Sequence, residues 1–276
     1  MIGELKRMIG MHNLLQTIIL ATIQGLTEFL PVSSSAHLVL VPQLFNWQDK
    51  GLAFDVATHM GTLGAVIFYF KHDIAQLTIN WFKQISGAPN NPASHLAWKI
   101  IIATIPVGLC GLIFHNFIAT YLRTTQVIAI STIVFAIVLL FSQLISSNNK
   151  YQISYKHAFY IGLAQALALI PGVSRSGITL SAGLACNIER AVVAKFSFLA
   201  SVPVIILASI LEFKTLWLQP QHVDWLDIFL AFSWAFVIGY MCIGIFIRIL
   251  KQVGVIPFVI YRLALGAFLI FFHLKP

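Results

Sequence analysis

Charge is the scarcest ingredient of this chain. Asp, Glu, Lys and Arg make up 9% of its 276 residues against 59% hydrophobic ones, too little polar surface to cover a water-soluble globule of that length. With a mean hydropathy of +0.88, an integral membrane protein is expected. Acidic residues are rarer than basic ones, which leaves a formal net charge of +8. In a soluble protein such an excess would point to nucleic acid. Here Lys and Arg sit mainly in short breaks between apolar runs, the pattern of topology signals and contacts with anionic lipid, so the expected partner is a bilayer and not nucleic acid. Cysteine is also sparse. Cys110, Cys186 and Cys242 lie in apolar surroundings with no CxxC and no Cys/His ligand spacing, and they read as small hydrophobes.

What is abundant is long apolar runs. About 20 apolar residues span a bilayer as a helix, and six windows meet or approach this: 51–71, 97–118, 126–145, 191–212, 227–248 and 254–273. Lys6 and Arg7 before the first apolar run resemble a signal peptide, but no small-residue cleavage site follows, and the segment is expected to be retained. Segments 12–45 and 155–187 behave differently, because each breaks at a proline, Pro31 or Pro171, and a serine cluster before a second short apolar run. Proline removes a backbone donor and disfavours helix before it. Irregular backbone at membrane depth survives only inside protein or beside a watery cavity. Two re-entrant helix-loop-helix hairpins are the economical solution.

Parity then matters. If neither hairpin crosses, each half has three spans and the second half is inverted relative to the first, so that the tips approach from opposite faces. If one arm of each hairpin crosses, there are eight spans and the repeats run parallel. The expected fold is the first: an all-α polytopic membrane protein, one domain over 1–276, with about six transmembrane helices plus two re-entrant hairpins in an inverted repeat of halves 12–145 and 155–273. Lys6, Arg7, Lys50, Arg123, Lys214 and Lys275 then share the side of the N-terminus. Lys71, Lys83, Lys99, Lys150, Lys156, Arg190, Lys195, Arg248 and Lys251 lie opposite, which favours both termini outside the cytoplasm. Segment 73–94 reads as an interfacial piece and loop.

The two broken segments echo one another at a spacing of 141 residues. Gln24, Leu26, Val32, Ser33 and Ser35 meet Gln165, Leu167, Val173, Ser174 and Ser176, while Ser34 meets Arg175 and Ala36 meets Gly177. In the first copy, Gln24 and Glu28 lie four apart and share a helix face just before Pro31. They could hold a Mg²⁺ coordinated mostly by water and phosphate, or Glu28 could act as acid or base; its structural alternative is an ion pair. Ser33, Ser34 and Ser35 precede a new apolar run, where serine caps helices and free amides bind anions. His37, one turn inside, could transfer a proton or attack phosphorus. The second copy, Pro171 to Thr179, reads as an anion cradle. Gly172 and Gly177 permit close backbone approach, Ser174, Ser176 and Thr179 supply hydroxyls, and Arg175 supplies a planar fork for phosphate.

The segments QGLTEFLPVSSSAH (24–37) and PGVSRSGIT (171–179) resemble the two signature motifs of the undecaprenyl-diphosphatase family, also called bacitracin-resistance proteins. The similarity runs from about His12 to the C-terminus and includes AFDVATHMGTL (53–63), KFSFLASVP (195–203) and IPFVIYR (256–262). It implies a bacterial plasma-membrane phosphatase that hydrolyses undecaprenyl diphosphate to undecaprenyl phosphate and inorganic phosphate and so recycles the cell-wall lipid carrier, with its site facing the extracytoplasmic side. By motif position, Gln24 and Glu28 take the E/QxxxE places, with a divalent cation, Mg²⁺ or Ca²⁺. Ser34 and His37 are the serine and histidine of the first loop. Ser174, Arg175, Ser176 and Thr179 form the phosphate-binding loop, and Arg190 matches a further basic position. Many members carry glutamate where this chain has Gln24, which leaves Glu28 for direct metal contact. The nucleophile stays open between His37, Ser34 and a water activated by His37. A homodimer is compatible with the resemblance but not required by it.

A transporter or lipid flippase is the chief rival, since inverted repeats with broken helices also build carriers. A carrier, however, needs no nucleophile facing an arginine. A phosphatidate-phosphatase-type enzyme is suggested by Ser-Ala-His, but its accompanying KxxxxxxRP and SRxxxxxHxxxD motifs are missing.

Overall fold

The computed structural model describes the backbone of residues 2–218 and 224–273 and the side chains of residues 13–218 and 224–271; the side chains of Lys6, Arg7 and Lys275 lie outside the described residues. The described residues form α-helices and no strand, apart from an isolated bridge between Lys150 and Ile188. The first hairpin is α1 (Ile2–Thr27) and α2 (Ser34–Phe45), and the second is α7 (Tyr155–Ala166) and α8 (Arg175–Ala185). Between them run α3 (Leu52–Tyr69), α4 (Lys71–Ile85), α5 (Pro92–Phe117) and α6 (Thr125–Ile145). After them come α9 (Arg190–Leu218), α10 (Trp225–Val253) and α11 (Ile256–His273). Helices α3, α5 with its π-helical extension to Leu122, α6, α9 and α10 are long and apolar enough to cross a membrane, while the apolar stretch of α11, Ile256–Phe271, is shorter. The six expected windows thus all form helices. The first hairpin departs from expectation only in its first arm, which starts at Ile2 and not near residue 12.

Contacts at the two ends of the bundle decide the parity. Lys50, just after α2, donates to the Asn13 carbonyl (3.2 Å) and Thr17 Oγ1 (3.0 Å) of α1 and to Asp227 Oδ2 (2.8 Å) at the start of α10. The first hairpin therefore leaves where it entered. At the other end, Glu189 N donates to Lys150 O (2.8 Å) and Lys150 N to Asn187 O (3.0 Å), which closes the second hairpin in the same way. That end also joins the start of α9 to the start of α4 through Lys195 and Asp73 (2.7 Å). The start of α5 reaches the start of α7 there through His95 and Tyr155 (2.6 Å). The hairpins enter from opposite ends, and three helices cross between them, so the second half is inverted.

Local sequence explains where these helices start and how closely they pack. Asn91 caps α5 in a reciprocal capping box with Ser94, with proline in the first turn, and Ser154 does the same for α7 with His157. Segment 73–94 proves largely helical. Helix α4 lies along α5, with Leu77 buried and Trp81 edge-on to Trp98. Membrane helices approach most closely at small residues. A Cβ at Gly61 would sit 2.3 Å from the Phe232 carbonyl oxygen, so α3 and α10 touch backbone to backbone. Gly61→Ala is therefore expected to push them apart and cost about 1–3 kcal/mol of overpacking. The check is a lowered melting temperature of the purified protein in detergent; an unchanged one would contradict the packing.

Candidate active site

The two serine loops meet inside the bundle with matching geometry. Ser33 and Ser174, 141 residues apart, both hold positive φ, 72° and 69°. Each loop repeats a hydroxyl pair, Ser33 with Ser35 (3.1 Å) and Ser174 with Ser176 (3.2 Å). The outer serine of each pair then reaches across to the other loop. Gly172 N donates to Ser35 Oγ (3.1 Å), and Ser176 Oγ donates to the Leu30 carbonyl (2.9 Å). Ser174 caps α8 by accepting from Gly177 N (3.2 Å), whereas Ser33 gives α2 no side-chain cap. Gly172 has φ 94°, and a Cβ there would lie 2.0 Å from Ser131 Oγ, so only glycine fits.

A residue from the last helix fastens the two tips. Arg262 of α11 is fully buried. Its guanidinium donates to the carbonyls of Gly172 (2.9 Å), Val173 (3.0 Å), Thr132 (3.3 Å) and Pro31 (3.4 Å). Gly177 leaves room for it, since a Cβ there would be 2.8 Å from Arg262 Nη1. Carbonyls of both loops and of α6 thus share one five-donor fork at membrane depth, and Gly172 O also accepts from Thr132 Oγ1 (3.3 Å).

Glu28 is the centre of what the tips enclose. Its Oε1 accepts from Arg175 Nη2 (3.1 Å), and its Oε2 accepts from Gln24 Nε2 (3.0 Å) and Ser34 Oγ (3.1 Å). The Glu28 and Arg175 side chains are 9% and 12% exposed, nearly shut off from bulk water. One carboxylate therefore joins both hairpins. Arg175 is steadied by Nη1 on the Ser197 carbonyl (3.2 Å), and Thr179 Oγ1 bonds Ser197 Oγ (2.7 Å) and donates to the Arg175 carbonyl (2.9 Å). His59 of α3 adds a member that the sequence did not single out. Its Nε2 lies 3.9 Å from Glu28 Oε2, and its Nδ1 lies 2.8 Å from the Asp55 carbonyl.

Of the residues expected in the site, Gln24, Glu28, Ser34 and Arg175 are brought together, with Thr179 behind Arg175. Ser33, Ser35, Ser174, Ser176 and Gly177 build the frame by bonding one another and the opposite loop. His37 bonds Ser33 through one ring nitrogen and Tyr261 through the other, with no hydrogen bond to Glu28. Arg190 sits at the start of α9, seven residues before Ser197 and so about 10 Å along the helix. Its guanidinium packs there against Gly254, and its backbone N–H bonds Asn148 Oδ1 (3.0 Å). Among residues the sequence did not single out, Arg262 carried the clearest signal, an ionisable group inside an apolar run.

Chemically, a serine hydroxyl donating to a carboxylate is a nucleophile beside its base, and the arginine on the other oxygen is a phosphate-binding fork. For a divalent cation the chain offers little on its own. Among the described residues no group of three or more His, Cys, Asp and Glu could hold a metal. Gln24 Oε1 is buried without a hydrogen-bond partner, while Nε2 of the same amide donates to the Glu28 carboxylate. That pair suits a hard cation that keeps water and phosphate oxygens as its other ligands.

The chain is 49% identical over 262 residues to an undecaprenyl-diphosphatase of Thioalkalivibrio sulfidiphilus (strain HL-EbGR7), covering 94% of this chain and 98% of the relative. It is 50% identical over 258 residues to one of Campylobacter concisus (strain 13826), covering 93% and 98%. It is 47% identical over 263 residues to undecaprenyl-diphosphatase 2 of Stutzerimonas stutzeri (strain A1501), covering 94% and 97%. The family model described as bacitracin resistance protein BacA matches residues 17–268, and the chain belongs to that family.

Proposed function

We propose that the protein is a membrane phosphatase that hydrolyses undecaprenyl diphosphate to undecaprenyl phosphate and inorganic phosphate. The observation that carries this is the Ser34 hydroxyl donating to Glu28 while Arg175 holds the carboxylate's other oxygen. A polyprenyl diphosphate has a charged head and an apolar tail, and a polar site enclosed within a membrane bundle can receive both.

Phosphoryl transfer asks mainly for positioning and charge stabilisation. Ser34 Oγ attacks the terminal phosphorus, and its proton passes to Glu28 Oε2. The bond to the bridging oxygen breaks, the electron pair leaves with the prenyl phosphate, and Glu28 hands its proton to that oxygen. Arg175 shares its guanidinium between Glu28 and the phosphoryl oxygens and offsets their charge. Water then attacks the phosphoserine; Glu28 takes a proton from it and returns one to Ser34 Oγ as inorganic phosphate departs. Glu28 and Gln24 Oε1 are the groups that would hold Mg²⁺ or Ca²⁺, and the cation would neutralise diphosphate charge. Purified protein in detergent is expected to release phosphate from undecaprenyl diphosphate, to stop with EDTA and to recover with Mg²⁺ or Ca²⁺. Protein that binds this lipid and releases no phosphate would move the assignment to a carrier.

We infer that the site opens toward the end where α3 begins, a reading supported by the partial exposure of the His59 side chain, 32%, beside Glu28. The opposite end carries Lys71, Lys83, Lys99, Lys150, Lys156, Arg190, Lys195, Arg248 and Lys251 against Lys6, Arg7, Lys50, Arg123, Lys214 and Lys275 expected at this one, a basic excess that supports reading it as the cytoplasmic end and the site as facing the outer side of a bacterial inner membrane. In a variant lacking the three native cysteines, Asp49→Cys is expected to react with a membrane-impermeant maleimide in intact cells. Asn90→Cys is expected to react only after lysis. The reverse pattern would invert the topology.

A further inference from the structure

His37 lies three residues beyond Ser34, yet its ring is committed elsewhere. Nδ1 is 2.7 Å from the Ser33 carbonyl and Nε2 is 2.5 Å from the Tyr261 hydroxyl. The two rings stack nearly parallel, with centroids 5.6 Å apart and planes 3° apart. A carbonyl oxygen only accepts, so Nδ1 carries the proton; in the neutral ring Nε2 is then the acceptor for the Tyr261 O–H. No lone pair is left for attack on phosphorus or for activating water.

The Ser33 bond shows what the ring does instead. Ser33 sits at φ 72°, ψ 94°, a conformation that side chains other than glycine rarely adopt, and it immediately precedes Ser34. The equivalent Ser174 has nearly the same twist, φ 69°, ψ 112°, and its hydroxyl caps Gly177 N. Ser33 makes no such cap, and its carbonyl is held by His37, where the second copy has Ile178. The two loops keep the same turn by different means.

We propose that His37, backed by Tyr261, is a positioning residue: it holds Ser33 in its left-handed turn so that the Ser34 hydroxyl meets Glu28, and it transfers neither proton nor phosphoryl group. This rests on Ser34 being the nucleophile. Asparagine places an N–H close to where Nδ1 stands but can neither attack phosphorus nor act as a base, so it separates the roles. In purified protein, His37→Ala is expected to lower kcat for phosphate release about 100-fold by misplacing the nucleophile, with KM little changed. His37→Asn is expected to recover to within about tenfold of wild type, because the N–H to Ser33 is restored. Tyr261→Phe should lower kcat a few-fold (roughly 2–5) in the wild-type background and not at all beside His37→Asn, since the two act as one unit.

His37→Asn as inactive as His37→Ala, or phosphate trapped on His37, would overturn the proposal. If His37→Ala does not fold, His37→Asn against wild type decides alone, with a loss beyond about tenfold counting against positioning. Activity surviving in Ser34→Ala would sink the underlying mechanism instead, and is measured in the same series.

Discussion

Replacing Ser34 by alanine is expected to lower phosphate release from undecaprenyl diphosphate by about a thousandfold or more, with the melting temperature within a few degrees of wild type. The reason is the fate of the neighbouring hydroxyls. Ser33, Ser35, Ser174 and Ser176 spend theirs on one another, on a cap or across the loops, whereas Ser34 Oγ makes its bond to Glu28 (3.1 Å). Losing it removes the attacking atom and leaves the frame standing. A Ser34→Ala protein that kept a tenth of its activity would show that water attacks directly. A phosphoserine trapped at position 34 in wild type by acid quench would exclude that route.

The second large effect is on folding. Arg262→Met is expected to destabilise the protein by about 3–5 kcal/mol, the range for breaking a buried charged network. The guanidinium satisfies carbonyls of both loops and of α6, and methionine returns none of those bonds. The consequence should appear as aggregated protein on size exclusion and a melting temperature far below that of Ser34→Ala. Arg262→Lys should recover part of it, since an ammonium can reach some of the carbonyls but lacks the planar fork. Wild-type melting behaviour in the Arg262→Met protein would mean that the loops hold each other unaided.

The spans were legible because apolar runs of helical length are set by bilayer thickness and stand out without tertiary information. The hairpins were legible from Pro31 and Pro171, each followed by serines, and the pairing of Glu28 with Arg175 from one broken segment carrying an acid and the other a base, though at different places in the repeat. What escaped depends on partners remote in sequence. Arg262 lies in an apolar window where pattern alone suggests a span, and its partners are backbone carbonyls, which leave no mark in side-chain composition. His59 is set beside Glu28 by the packing of α3, not by any spacing within its own segment. The direction of His37 depends on Tyr261, 224 residues away, so the motif that contains the histidine cannot reveal which way its ring faces.

The placement of Arg262 on α11 also bears on the order in which the protein matures. A chain emerging from the ribosome delivers both serine loops well before this helix, and domains tend to fold as they emerge. Until α11 arrives, the carbonyls of Pro31 and Val173 lack the guanidinium, and that of Gly172 has only the Thr132 hydroxyl (3.3 Å). A chain truncated before Arg262 would keep the direct bonds between the loops, Gly172 to Ser35, Ser176 to Leu30 and Arg175 to Glu28, but lose the fork that ties both tips to the last helix, so the reactive centre is expected to be fastened only at the end of synthesis.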